Sequence, residues 1–233
     1  EEVSKLINSA VRPYIYAGGG IISSGACEQV KTLAEKANIP VGVSLMGKTA
    51  FPANHPLNTG MIGMHGTKAS NTAINKADLV VVLGARFSDR VISDPSKFAV
   101  NTKFVHIDID SAEINKNIKT CASIIGDLKD ILTKLIPLVN ERKSSEWNDY
   151  VSELKNHIPP MYNKKTALHP KFVCEKVNKI AGEDTIITTE VGQHQMWVAQ
   201  FYPFTKPRTL LTSGGLGTMG YGTAAAIGAQ TAF

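Results

Sequence analysis

The stretch Leu79-Val-Val-Val-Leu83 decides the fold class, because an uninterrupted apolar run of this kind is buried on both faces of a sheet. Such runs are typical of parallel sheets that are covered by helices on both sides. Shorter apolar runs on either side of it predict further strands at residues 14–17, 39–44, 103–109 and 122–125.

Helical patterns alternate with these strands. Apolar residues recur at helical spacing over residues 25–38, 68–76 and 128–139, and the last of these is the most strongly amphipathic. Strands that alternate with helices predict an α/β fold, here a doubly wound parallel-sheet central domain over residues 1–142.

A polar stretch at residues 143–166 is interpreted as a linker that carries one helix, predicted at residues 147–158. A second, partial α/β domain is predicted from residue 167 to residue 233. Its elements are a helix at 170–181, a strand at 185–189, a helix near 194–200, a strand at 208–212 and a helix from about 220. Because the last residues are apolar without a C-cap signal, this domain is expected to be truncated.

Composition excludes several function classes. The net charge of +5 comes from scattered basic residues rather than a stripe, so no nucleic-acid binding is expected. Cys27, Cys121 and Cys174 lack metal-ligand spacing and are interpreted as reduced thiols. No apolar run reaches the roughly 18 residues of a membrane span, so no membrane partner is expected. The expected location is the cytoplasm, or an organelle stroma or matrix in a eukaryote.

The predicted strand ends of the central domain carry the candidate binding residues. Gly18-Gly19-Gly20 allows close approach of backbone to a diphosphate, although a tight strand-to-helix turn explains it equally well. Arg86 and Arg90 could hold a phosphate or a ring carbonyl, unless they pair with Asp89 or Asp94.

Two further groups follow later strands, and a third lies in a loop before Leu79. Of Asp108 and Asp110, one is expected to cap a helix and the other to accept a ribose hydroxyl. Asp127 could reach a ribose or an adenine in the same way. In the loop around Met64 and His65, methionine suits the face of a flat ring, whereas the histidine is interpreted equally well as structural.

The most specific motifs are Glu190-Val-Gly-Gln-His-Gln-Met-Trp197 and Ser213-Gly-Gly-Leu-Gly-Thr-Met-Gly-Tyr-Gly222. Each follows a predicted strand and opens a predicted helix, where unpaired backbone N–H groups favour a diphosphate. No Ser-His-Asp or Cys-His ordering indicates a nucleophile.

These two motifs resemble the large catalytic subunits of acetolactate (acetohydroxyacid) synthases, which are thiamine-diphosphate-dependent enzymes, and the resemblance covers essentially the whole chain. It implies that pyruvate is decarboxylated and joined to a second 2-keto acid, pyruvate or 2-ketobutyrate, in branched-chain amino acid biosynthesis. It also implies thiamine diphosphate, Mg²⁺ and FAD as cofactors, a homodimer or homotetramer, and a possible small regulatory subunit.

The resemblance assigns residues to the two organic cofactors. Those implied for thiamine diphosphate are Val191, Gly192, Gln193, His194, Gly217 and Met219, with Met219 supporting the bent cofactor. Those implied for FAD are Gly18, Gly19, Gly20, Ser44, Leu45, Met46, Gly63, Met64, His65, Gly84, Ala85, Arg86, Arg90, Val91, Asp108, Ile109 and Asp127. Gln195 and Trp197 are interpreted as packing residues. Ser88, Glu190 and Thr223-Ala224 depart from the usual pattern.

The resemblance also implies that two parts of the site lie outside this chain. The catalytic Glu belongs to an N-terminal domain, and the magnesium-binding Gly-Asp-Gly…Asn motif follows Phe233, so no catalytic residue and no metal ligand is expected here. The chain alone is expected to be inactive. The alternatives are pyruvate oxidase, glyoxylate carboligase or oxalyl-CoA decarboxylase, and a non-catalytic nucleotide-binding module formed by residues 1–140.

Overall fold

The computed structural model describes residues 1–156 and 168–233. Its first part contains a six-stranded sheet in which every neighbouring pair of strands is parallel. The strands are β1 (Pro13–Ala17), β2 (Val41–Val43), β3 (Asn58–Met61), β4 (Leu79–Leu83), β5 (Lys103–Asp108) and β6 (Ala122–Ile125). Their order, β3-β2-β1-β4-β5-β6, reverses direction between β1 and β4, which is where open α/β sheets bind ligands.

Helices cover both faces of this sheet. They are α1 (Glu2–Ser9), α2 (Gly19–Ser23), α3 (Cys27–Ala37), α4 (Lys68–Lys76), α5 (Asp89–Ile92), α6 (Leu128–Leu135) and α7 (Glu146–Asn156). Alternate residues of β4 point into two separate cores, Val81 with α1, α3 and α6, and Val80 with α4 and α7. All five residues of β4 are buried, which confirms the doubly wound α/β prediction.

Helix α7 packs on the central sheet, although it lies within the predicted linker. The Trp147 ring is buried and its Nε1 donates to the carbonyl of Pro13 at 2.9 Å. Val151 joins the same core. The packing of the central domain therefore extends to Asn156, and the remainder of the predicted linker and the predicted helix end at residue 158 lie outside the described residues.

The second unit is smaller. It contains α8 (Pro170–Ala181), β7 (Ile187–Thr189), α9 (Gln193–Phe201), β8 (Leu210–Thr212) and α10 (Tyr221–Ala232), and β7 pairs with β8 in parallel. Its core is built on Cys174, Tyr202 and Phe204.

Three elements were not predicted from the sequence, and one predicted helix ends earlier in the structure. Strand β3 was not predicted, because Asn58-Thr-Gly-Met lacks an apolar run. The short helices α2 and α5 were not predicted. The helix predicted at residues 128–139 ends at Leu135 and continues as a 3₁₀ turn (Ile136–Leu138), because Pro137 has no N–H to donate.

Candidate functional site

A cavity of about 560 Å³ lies where the carboxyl ends of the central strands meet the second unit. Strand ends, the loop around Met64 and the two C-terminal motifs all contribute to its wall. Its lining residues from the central domain are Tyr16, Gly19, Gly20, Ser44, Leu45, Met46, Met61, Ile62, Met64, His65, Gly84, Ala85, Arg86, Ser88, Arg90 and Val91. Those from the second unit are Val191, Gly192, Gln195, Met196, Ser213, Gly214, Gly215, Leu216 and Gly217.

The glycine triplet forms a tight packing contact with the neighbouring strand end. A β-carbon on Gly18 would overlap the carbonyl oxygen of Gly84 and lie 2.5 Å from the Cα of Ala85. The Gly20 N–H donates to the same Gly84 carbonyl at 3.0 Å. Gly18 therefore serves the turn, whereas Gly19 and Gly20 line the cavity. The turn interpretation is confirmed for Gly18, and the approach of a diphosphate to Gly19 and Gly20 stays a prediction.

Two arginines lie at the mouth of the cavity with different partners. Arg90 Nη1 lies 3.8 Å from Asp89 Oδ1, and both side chains are largely exposed, so this ion pair contributes little stability. Asp94 is engaged by Lys97 and Ser96 instead. Arg86 has no ion pair within the described parts of the chain, which leaves its guanidinium available to an anionic ligand.

Two of the aspartates that follow β5 and β6 cap the turn or helix next to them in the sequence. Asp110 accepts the Ala112 N–H at 2.9 Å and caps a 3₁₀ turn, so Asp110 is the capping member of its pair. Asp127 caps α6 by accepting the Lys129 N–H at 2.8 Å. Gly18, Gly63, Asp108, Ile109 and Asp127, all implied for FAD, do not line the 560 Å³ cavity.

Asp108 is held ionised. Burial would raise its pKa, but the nearby His106 side chain and the N–H groups of Asp110 and Ile109 outweigh burial and lower the pKa below its usual range. His106 Nε2 lies 3.7 Å from Asp108 Oδ2, an ion-pair distance that is too long for a hydrogen bond. An ionised carboxylate at the end of β5 suits a ligand that donates hydroxyl hydrogen bonds.

The second half of the site is built on glycines with left-handed backbone angles. Gly192 (φ 132°) precedes α9, while Gly217 (φ 71°) and Gly220 (φ 84°) precede α10. Nothing lies within 4 Å of a β-carbon position on Gly217 or Gly220, so the space above these backbones is open. Because Gly192 and Gly217 line the same cavity, the two loops face each other.

Glu190 joins the two C-terminal motifs. Its carboxylate accepts the N–H groups of Gly220 at 2.8 Å and Gly222 at 2.6 Å. Desolvation opposes ionisation of this carboxyl, but the N–H donors of Gly222, Gly220 and Thr223 outweigh it and lower its pKa. The sequence indicated Glu190 only as a departure from a pattern, because its partners lie about thirty residues further along the chain.

The remaining predicted residues of the second unit differ in exposure. Met219 is 87% exposed, which excludes ordinary core packing for this side chain. Gln193 and His194 are exposed on the first turn of α9. Gln195 is buried and its Nε2 donates to Thr212 Oγ1 at 2.8 Å, as expected of a packing residue, but Gln195 also lines the cavity. Trp197 is 38% exposed and therefore only partly a packing residue.

Comparison with known families accounts for this arrangement of two units. Residues 1–135 match the thiamine pyrophosphate enzyme central domain. Residues 190–233 match the C-terminal thiamine pyrophosphate binding domain of the same enzymes. The chain belongs to the thiamine pyrophosphate enzymes. The family expected from the two glycine motifs is thereby confirmed.

Curated relatives of this family match along the whole chain. The chain is 48% identical over 243 residues to a probable acetolactate synthase large subunit of Methanocaldococcus jannaschii, covering 100% of the chain and 41% of that relative. It is 45% identical over 234 residues to the acetolactate synthase isozyme 1 large subunit of Escherichia coli, covering 99% of the chain and 41% of that relative. It is 44% identical over 237 residues to the acetolactate synthase large subunit of Corynebacterium glutamicum, covering 99% and 38%. The chain therefore spans about 40% of the length of the relatives it matches.

The described residues offer neither a cluster of metal ligands nor a membrane-spanning helix. In residues 1–156 and 168–233, no group of three or more His, Cys, Asp or Glu side chains is placed to hold a metal ion. Within the same ranges, no helix of this thiamine pyrophosphate enzyme chain is long and apolar enough to cross a membrane.

Proposed function

We propose that the protein is the large catalytic subunit of an acetolactate synthase, which condenses pyruvate with pyruvate or 2-ketobutyrate and releases CO₂. The observation that carries the proposal is the 43–48% identity, along the whole chain, to curated relatives with that name. The product belongs to branched-chain amino acid biosynthesis. We place the enzyme in the cytoplasm, or in an organelle stroma or matrix, as a homodimer or homotetramer with a possible small regulatory subunit.

The two C-terminal motifs are proposed to hold thiamine diphosphate, which supplies an electron sink for the decarboxylation of a 2-keto acid. The left-handed glycines bring backbone N–H groups to the starts of α9 and α10, where helix dipoles favour the diphosphate charge. Glu190 keeps the second loop against the first. The proposed contacts are Val191, Gly192, Gln193, His194, Gly217 and Met219. Mg²⁺ is proposed to accompany the diphosphate, on ligands from outside this chain.

The central-domain part of the cavity is proposed to hold FAD. Gly19 and Gly20 leave room for a diphosphate beside Arg86, and the side chains of Met46 and Met64 are exposed where a flat ring would lie. Ser44, Leu45, His65, Gly84, Ala85, Arg90 and Val91 complete the proposed wall. Gly18 and Gly63 support it through backbone packing, and Asp108, Ile109 and Asp127 are proposed contacts beyond the cavity.

Replacing Met219 with alanine is expected to lower acetolactate formation from pyruvate by about tenfold or more, which corresponds to about 1.4 kcal/mol of lost cofactor positioning. The exposed Met219 side chain lies on the open glycine loop, where it is available to support a ligand and does not pack in the core of the described residues. The assay uses the protein at its natural full length, with thiamine diphosphate titrated.

Ile227→Ala is the matched control, because Ile227 is also an exposed apolar side chain but lies on α10 away from the loop. It is expected to leave the thiamine diphosphate dependence unchanged. Formation of acetate and peroxide from pyruvate would assign the protein to the pyruvate oxidases instead. Tight flavin or ADP binding with no thiamine diphosphate dependence would favour the nucleotide-binding module.

Replacing Arg86 with methionine is expected to weaken FAD binding by about tenfold or more, because a charge-assisted hydrogen bond contributes about 1.5–3 kcal/mol. Flavin fluorescence quenching on titration of the protein measures this affinity. Arg12→Met is the control, since Arg12 lies at the opposite edge of the sheet and donates through Nε to the Lys76 carbonyl at 2.8 Å. Equal flavin affinity in the wild type and the Arg86 variant would contradict the proposed flavin site.

A further inference from the structure

A second, smaller cavity of about 300 Å³ lies beside the cofactor cavity, and it shares the walls Gly19, Leu45 and Met46 with it. Its other walls come from α2, from the chain after Gly47 and from the segment that enters β8. The two cationic side chains at this cavity are Lys48 and Arg208.

Lys48 is buried without a counter-charge. Its side chain lines the cavity, the residue is 7% exposed, and no hydrogen bond or ion pair of its Nζ is found within the described residues. Burial lowers the pKa of Lys48 to about 8. A buried ammonium is normally paired, because removing it from water without a partner is unfavourable. The uncompensated charge therefore points to a ligand.

Arg208, which lines the same cavity, is held in place by two hydrogen bonds. Its Nη2 donates to the Ile22 carbonyl at 2.8 Å and its backbone N–H donates to Thr49 Oγ1 at 3.2 Å. These bonds support a left-handed backbone angle (φ 63°) that is uncommon for a residue other than glycine. Among the described residues, the other guanidinium nitrogens have no hydrogen-bond partner, so their N–H groups remain available to a ligand.

Among the described residues, the rest of the lining contains no carboxylate. Its polar side chains are the hydroxyls of Ser23, Thr49, Thr212 and Tyr221. We propose that this cavity is a binding site for a small oxyanion, a phosphate or a carboxylate, held between Lys48 and Arg208. The cavity volume of about 300 Å³ has room for a phosphate or a small carboxylate and is too small for a dinucleotide. Through the walls it shares with the cofactor cavity, the anion contacts the same Leu45–Met46 segment.

The test measures anion binding to the purified protein in solutions of equal ionic strength. Inorganic phosphate and lactate are compared with chloride. Lactate is chosen because it is a carboxylate without a keto group, so it cannot form an imine with lysine. Thermal unfolding reports binding, since a ligand of the folded state raises Tm. Acetylation of individual lysines, read by mass spectrometry, reports whether the anion protects Lys48.

We expect at least one of the two anions to raise Tm and to slow acetylation of Lys48 by about tenfold. Lys48→Met and Arg208→Gln are each expected to weaken the apparent affinity by about tenfold or more, as for loss of a hydrogen bond to a charged group. Protection by phosphate alone or by lactate alone identifies the chemical source of the anion, and either supports the site.

Lys206→Met is the matched control, because it removes a solvent-exposed cation that pairs with Asp184 outside the cavity. It is expected to keep the full effect of the anion. The proposal is overturned if neither anion changes Tm and Lys48 acetylation relative to chloride. It is also overturned if Lys206→Met abolishes the effect as fully as Lys48→Met does, since the effect would then be one of surface charge.

Discussion

Gly18→Ala is expected to destabilise the protein by about 3 kcal/mol, the upper part of the range for overpacking a tightly packed interior. The new β-carbon would overlap the Gly84 carbonyl oxygen and crowd the Ala85 Cα. Neither backbone atom can move easily, because Gly18 N–H donates to the Leu83 carbonyl at 2.9 Å and Gly20 N–H to Gly84 at 3.0 Å. Urea unfolding, followed by far-UV circular dichroism, measures the loss.

The control for this substitution is Gly228→Ala in helix α10. Nothing lies within 4 Å of a β-carbon at Gly228, and alanine is favoured over glycine in a helix by up to about 1 kcal/mol. This variant is expected to be at least as stable as the wild type. A Gly18→Ala protein with unchanged unfolding free energy would show that the β1 and β4 ends are not packed backbone to backbone.

Lys48→Met is expected to raise the free energy of unfolding by about 3 kcal/mol at pH 7 in a buffer of weakly binding anions. The folded-state pKa of Lys48, about 8, lies below the usual lysine pKa of 10.5, because burial disfavours the ammonium form. The gap between the two pKa values corresponds to about 3 kcal/mol. Methionine removes the charge and keeps an unbranched side chain of similar length.

The pH dependence carries a definite sign. Between about pH 8 and 10.5 the unfolded state binds more protons at this lysine than the folded state does, so the stability of the wild type rises with pH through that window. Below about pH 8 the destabilisation is fully present. Lys48→Met is expected to lack this rise, whereas the exposed Lys206→Met is expected to retain it. A parallel pH profile for wild type and Lys48→Met would contradict the burial of this ammonium.

Where the local sequence pattern is strong, the predicted first and last residues of an element agree with the structure. Leu79–Leu83 became β4, and helices α4 and α8 span Lys68–Lys76 and Pro170–Ala181 as predicted. In β4 and α4 the apolar spacing agrees with burial in the fold. In α8, Cys174 is buried, whereas the side chains of Phe172, Val173, Val177 and Ile180 are exposed within the described residues. Strand β3 was missed because its strand pairing with β2, rather than any apolar run of its own, holds Asn58–Met61 in place.

The candidate site was predicted in its parts but not in its assembly. The glycine motifs and Arg86 were recognised because residue type alone suggests anion binding at a strand end. The clamp from Glu190 to Gly220 and Gly222 was not recognised, since it joins a strand end to a later loop. The same limit hid the packing of Trp147 on β1, which turned a stretch interpreted as linker into part of the central domain.

The order of apolar and polar residues along the chain was enough to predict alternating strands and helices, and hence a parallel α/β architecture. The resemblance of the motifs at residues 190–197 and 213–222 to known enzymes was enough to indicate the thiamine pyrophosphate enzymes. Only the tertiary structure shows which glycine packs against a neighbouring backbone and which lines a cavity. Only the tertiary structure shows that Lys48 is buried and lines the same cavity as Arg208. The reason is that periodicity depends on neighbours a few residues apart, whereas steric overlap and desolvation depend on segments that lie up to 186 residues apart in the sequence.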